Sequence, residues 1–174
     1  TAHNNLGSTL LALGQVDAAV ESYEKALAIN PDYAEAHNNL GIALHRLGKI
    51  DAAVESYEKA LAVNPDYAEA HNNLGNAFKG LGQLDTAVKS FEKALAVNPD
   101  YSNAHNNLGI IFKELGQLDA AVESYKKALA VNSDYVEAHN NLGNAFKELG
   151  QLDVAVESYK KALALRPDYA YAHY

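Results

Sequence analysis

The stretch 66–100, "DYAEAHNNLGNAFKGLGQLDTAVKSFEKALAVNPD", decides how this chain folds. Its first half sets Ala70, Leu74, Ala77, Phe78 and Leu81 at helical spacing, so they share one apolar stripe. Asp66 and Glu69 precede it in the D-x-x-E pattern of a capping box, where Asp66 accepts from an early backbone N–H and Glu69 reaches back. Gly82 follows the last apolar position, where a left-handed cap is easy only for glycine. Asp85 is the expected N-cap of a second helix, whose stripe is Ala87, Val88, Phe91, Ala94, Leu95 and Val97. Asn98-Pro99-Asp100 ends it, because proline cannot continue the hydrogen-bond ladder.

The same pair of helices recurs along the chain. "AHNNLG" stands at 2–7, 36–41, 70–75, 104–109 and 138–143, and Ala172-His173 opens a further copy. Each copy lies 34 residues from the last, and Gly14, Gly48, Gly82, Gly116 and Gly150 keep that step. A supersecondary unit repeated at fixed period buries its apolar face against its neighbours and builds an α-solenoid. The expected repeats are 1–33, 34–67, 68–101, 102–135 and 136–169, with a partial sixth at 170–174, in a single array without a linker. The array starts and stops mid-helix without the polar capping helix that terminal repeats usually carry. That pattern predicts an excerpt of a longer array, or a fragment that associates end to end through its uncapped repeats.

Composition narrows the function. Apolar residues make up 48% of the chain, enough for a core, and the many alanines suit close helix packing. The chain has no cysteine, which excludes disulfides and thiolate metal sites and fits a cytoplasmic protein. No apolar run approaches the roughly 20 residues that span a bilayer, and no targeting segment is visible. The net charge of −8 argues against nucleic acid or an anionic membrane as partner.

The unit resembles the tetratricopeptide repeat (TPR). The residues that carry the resemblance are Leu40-Gly41, Leu44, Gly48, Ala53, Tyr57, Ala60 and Pro65 in one unit. In the next they are Leu74-Gly75, Phe78, Gly82, Ala87, Phe91, Ala94 and Pro99. Two positions depart from the family pattern. Histidine replaces the first aromatic in every copy, and Ser133 replaces the closing proline of the fourth unit, which is expected to loosen that turn. The resemblance implies an all-α, right-handed superhelix of helix-turn-helix repeats whose first helices line a concave groove. It also implies a non-enzymatic protein-interaction scaffold, with no catalytic residue, cofactor or metal.

Helical geometry then selects a stripe facing that groove: Glu35, Asn38, Asn39, Ile42, His45 and Arg46, with their equivalents Glu69, Asn72, Asn73, Asn76, Lys79 and Gly80. In the fifth unit the stripe is Glu137, Asn140, Asn141, Asn144, Lys147 and Glu148. Stacking would align Asn5, Asn39, Asn73, Asn107 and Asn141 in one row, and Asn4, Asn38, Asn72, Asn106 and Asn140 beside it. A carboxamide offers an acceptor and two donors, so it can meet both the C=O and the N–H of one peptide unit. The candidate peptide-binding set is these ten asparagines with Asn76, Asn144, Lys79, Lys113 and Lys147, and the ligand expected is an extended polypeptide. The "NNLG" rows resemble the asparagine ladder of the O-linked N-acetylglucosamine transferase TPR superhelix, which implies an alternative role as the substrate-recognition arm of a larger glycosyltransferase. A self-assembling structural array is a third reading.

A carboxylate clamp of the kind found in chaperone-tail-binding TPR proteins would need Lys or Arg where this chain has Asn4, Asn38, Glu69 and Asn73. On the groove stripe Glu35, Glu69, Glu114, Glu137 and Glu148 nearly balance Arg46, Lys79, Lys113 and Lys147, so the groove is mixed rather than basic. The histidines could be read as metal ligands. Yet packed helices lie about 8–10 Å apart, whereas Zn–N bonds are about 2.0–2.1 Å, so a structural role between helices is the better reading. Tyr33, Tyr67, Tyr101, Tyr135 and Tyr169 are expected to pack where one unit hands over to the next, or else to edge the groove. Ser22, Ser56, Ser90, Ser124 and Ser158 have no repeated base beside them and read as small packing residues.

Overall fold

A computed structural model describes residues 1–168. Tyr169, His173 and the partial sixth repeat at 170–174 lie outside the described residues. Among those described there are ten α-helices and no strand. They are α1 (Ala2–Ala12), α2 (Val16–Ile29), α3 (Ala34–Arg46), α4 (Ile50–Val63), α5 (Ala68–Gly80), α6 (Leu84–Val97), α7 (Ser102–Glu114), α8 (Leu118–Val131), α9 (Val136–Glu148) and α10 (Leu152–Leu165). Odd-numbered helices are the first of each pair and even-numbered helices the second. The chain forms two compact units, Thr1–Val97 with α1–α6 and a second from Asn98 onward with α7–α10.

Within each pair the helices close on a missing side chain. A Cβ built on Gly41 would stand 2.5 Å from the Tyr57 ring, so only glycine lets α3 lie this close to α4. Tyr57 then reaches beyond its own pair into a cluster with Ala53, Leu74 and Ala77. The same design recurs in the second unit, where Tyr125 packs with Ala121, Val122, Leu142, Ala145 and Phe146. The aromatic therefore fills the gap between successive pairs. Burial of these side chains, worth about 1.5–3 kcal/mol for each large one, gives the stack most of its cohesion.

The turn inside each pair is a Schellman cap. The N–H of Lys49 donates to the Leu44 carbonyl and that of Gly48 to the His45 carbonyl, each at 3.0 Å, with Gly48 at φ +73°. The turn between pairs departs from the expected capping box. Tyr67, not Asp66, is the N-cap of α5, and no side chain caps it. The Asn64 side-chain oxygen accepts the Asp66 N–H at 3.2 Å, closing a turn that holds Asp66 ahead of the helix. Asp85 is likewise not the N-cap; it lies in the first turn of α6, where its charge complements the helix dipole.

Histidine locks that same turn. The His37, His71 and His105 Nε2–H groups donate to the carbonyls of Pro31, Pro65 and Pro99 at 2.7, 2.8 and 2.9 Å. His139 does the same to Ser133 at 2.8 Å. The turn at Ser133 also keeps the asparagine contact, from Asn132 to the Asp134 N–H at 3.1 Å. Both contacts survive the change, because the histidine bond uses the backbone carbonyl of residue 133, which serine supplies as well as proline, and the asparagine bond uses no atom of residue 133. The imidazoles thus hold carbonyls, and among the described residues no group of three or more His, Asp or Glu side chains could hold a metal ion. No helix of those residues is long and apolar enough to cross a membrane.

Candidate functional site

The twin asparagines have different jobs. Asn4, Asn38, Asn72 and Asn106 are buried, and Asn38 has no exposed surface at all. Little of their surface is open to solvent, although Asn106 still reaches the wall of the cavity between α7 and α9. Consecutive helical residues point about 100° apart, so the first asparagine of each pair turns into the seam while the second stays outside. Asn5 is exposed, and Asn39, Asn73, Asn107 and Asn141 are half-buried. Asn140 is also half-buried.

The two members interlock across repeats. Asn39 donates its amide to the Asn4 side-chain oxygen at 3.0 Å, and Asn73 to that of Asn38 at 3.0 Å. In the second unit Asn141 donates to Asn106 at 3.1 Å. Asn4 in turn donates to Glu35 at 3.0 Å and to the Tyr33 hydroxyl at 3.4 Å. Tyr33 donates to the same carboxylate at 3.2 Å. Desolvation first, and the Glu35 charge second, hold the Tyr33 phenol above its usual pKa. Tyr33 thus bridges two repeats by hydrogen bonds, and at the equivalent place in the second unit Tyr135 lines the cavity between α7 and α9. Each outer amide of Asn39, Asn73 and Asn141 is fixed by one N–H bond, which leaves its carbonyl oxygen and second N–H for a ligand.

Other stripe residues flank this row. In the first unit, a cavity of about 400 Å³ lies between the C-terminal halves of α3 and α5 and includes Asn73, Asn76 and Lys79 in its lining. In the second, a cavity of about 610 Å³ between α7 and α9 is lined by Asn106, Asn140, Asn141 and Asn144. Asn144 accepts from the Tyr159 hydroxyl at 2.8 Å. Lys113 is tied to Glu148 at 2.9 Å, and Lys147 is exposed. Each of Ser22, Ser56, Ser90, Ser124 and Ser158 is buried and bonded to the carbonyl four residues before it, which leaves none poised as a nucleophile.

Sequence reasoning missed two features of this face. One is the link from Asn4 to Glu35, which crosses from one repeat to the next and leaves no trace in a single-helix pattern. The other is the gap at Gly80, whose signal was visible: it is the one glycine that breaks the 34-residue rule.

The fold and this polar face define a helical-repeat scaffold. A TPR repeat profile matches residues 7–48, 43–82, 75–116, 111–150 and 143–174. The chain belongs to the TPR repeat family. Among solved structures it is similar to TTC0263, a thermophilic TPR protein of Thermus thermophilus, at 32% identity, covering 97% of this chain and 92% of that one with a TM-score of 0.79. It is similar to MamA at 29% identity, covering 95% and 96% with a TM-score of 0.82. The likeness to YrrB, described as a TPR protein with an unusual peptide-binding site, is one of fold, at 22% identity, 98% and 88% coverage and a TM-score of 0.74. No match was found among curated proteins.

Proposed function

We propose that this chain is a non-enzymatic scaffold that holds an extended polypeptide along its first helices through the outer asparagines Asn5, Asn39, Asn73, Asn107 and Asn141. The observation that carries the reading is the interlock: Asn38 and Asn106 orient Asn73 and Asn141 before any ligand arrives. Preorganised donors and acceptors lower the ordering cost of binding. A mid-helix asparagine is a mediocre helix former, and the buried member supplies a reason for its presence that solubility does not. The buried row has a seam role and the outer row the ligand role. Asn76, Asn144 and the lysines add side-chain contacts at the edge.

A dye-labelled, uncharged peptide of Ala, Ser and Gly with one central Gln serves as probe. Fluorescence anisotropy is expected to show binding to the wild type and its loss in a variant with Asn39, Asn73 and Asn107 changed to Ala, while circular dichroism stays helical. Equal binding by a folded triple variant would end the proposal.

A further inference from the structure

The outer face breaks its own repeat at one place. The last residues of α3, α5, α7 and α9 are Arg46, Gly80, Glu114 and Glu148. In the second unit Lys113 meets Glu148 at 2.9 Å, so a cation of one repeat is neutralised by the next. In the first unit His45 holds the place of Lys113, and Gly80 holds the place of Glu148. A Cβ built on Gly80 meets nothing within 4 Å. α5 therefore presents no carboxylate to Arg46, whose described bond is to a neutral acceptor, the Leu11 carbonyl, at 3.3 Å.

The gap opens into the cavity of about 400 Å³ between α3 and α5. His45, Arg46 and Lys79 line it, and no carboxylate does. Glu69 is near enough to act on Tyr57 electrostatically but is not part of the lining. Tyr57 is a second, independent pointer. It is 2% exposed and lines this cavity. Its counterparts Tyr23 and Tyr159 donate to Ser8 and Asn144. The corresponding residue for Tyr57 is Ile42, which has no side-chain acceptor, so no protein side chain there takes up the Tyr57 hydroxyl, which borders the cavity. The Arg46 guanidinium, the Tyr57 hydroxyl and an absent side chain at Gly80 therefore share one recess, and Asn73 of the asparagine row is in its wall.

We propose that this recess seats the carboxylate of an aspartate or glutamate side chain, so that the protein prefers extended peptides bearing one acidic residue at that point. The proposal rests on the peptide-binding reading above. A carboxylate there would gain charge-assisted hydrogen bonds from Arg46 and accept from Tyr57. The guanidinium fork suits that geometry better than a point charge would.

The test pairs the uncharged Gln probe with a twin carrying Glu at the same place. The wild type is expected to bind the Glu twin about tenfold more tightly, as charge-assisted bonds predict. Gly80→Glu supplies the carboxylate that the second unit already has, and it should erase that preference while leaving the Gln probe bound. Arg46→Gln should weaken the preference, and circular dichroism would show both variants folded. Equal binding of the twins to the wild type, or a preference that survives both substitutions, would overturn the recess and leave the asparagine reading standing. Failure of both twins to bind would overturn the two together. A phosphoserine probe that binds tightly while the twins do not differ would assign the recess to phosphate and overturn the carboxylate.

Discussion

Asn38 is fully buried, yet it accepts from Asn73 at 3.0 Å and donates to the Tyr67 hydroxyl at 3.5 Å. Asn38→Ala would leave a half-buried donor without its acceptor and a small void, at a cost of about 1–3 kcal/mol. Asn39→Ala, at the half-buried member, should cost less than Asn38→Ala; urea titrations of the two variants compare them directly. Three glycines predict three different outcomes. Gly41→Ala must displace the Tyr57 ring and should destabilise by about 1–3 kcal/mol. Gly48→Ala meets no atom but has φ +73°, and should cost about 1–2 kcal/mol from backbone strain. Gly80→Ala is helical and open, and should stabilise by about 0.5–1 kcal/mol. Denaturation midpoints decide all three. The division of labour within Asn-Asn was not legible in the sequence. Periodicity gives the angle between neighbours on one helix, but the partner that buries Asn38 is 35 residues away.

At the scale of elements, the helices and their glycine caps could be read directly, because apolar spacing and an obligatory left-handed residue are local properties. The turns between pairs could not. Asp66 looked like a cap because Asp is a good one, but Asn64 captured the Asp66 backbone N–H and moved the helix start to Ala68. The histidine clamp was legible only as something structural, since its acceptor is a backbone carbonyl that every residue type has. That clamp makes a prediction at Ser133. Asn132 already has φ −132° and ψ 95°, the extended backbone that proline demands of its predecessor. Proline occupies the same place at Pro31, Pro65 and Pro99. Ser133→Pro should therefore stabilise the fourth turn by about 0.4–1 kcal/mol by restricting the unfolded chain, and thermal unfolding would register the rise.

At the scale of the whole molecule, each compact unit contains a buried tyrosine whose phenol is pushed well above the usual range. For Tyr57 the main cause is desolvation, with the Glu69 charge adding to it. For Tyr125 it is desolvation again, followed by Glu114 and Glu148. The folded protein therefore keeps these protons to higher pH than the unfolded chain, whose tyrosines titrate near about 10. Their contribution to stability is complete below that pH and is lost as the pH climbs past it towards the folded values. Urea midpoints should fall steeply above about pH 10, and Tyr57→Phe, which copies Phe91 at the equivalent place, should make the fall shallower.

The vacant position at Gly80 has a further effect on any strand lying along such a face. Helices packed about 8–10 Å apart pass an extended chain at about 3.3 Å per residue, or about three ligand residues per repeat. A row of identical carboxamides is a ruler without numerals: a strand slid along by one interval finds the same partners and can creep. One unmatched notch supplies the zero mark, so an acidic residue falling into it would arrest the slide and fix which stretch of the strand lies on either side.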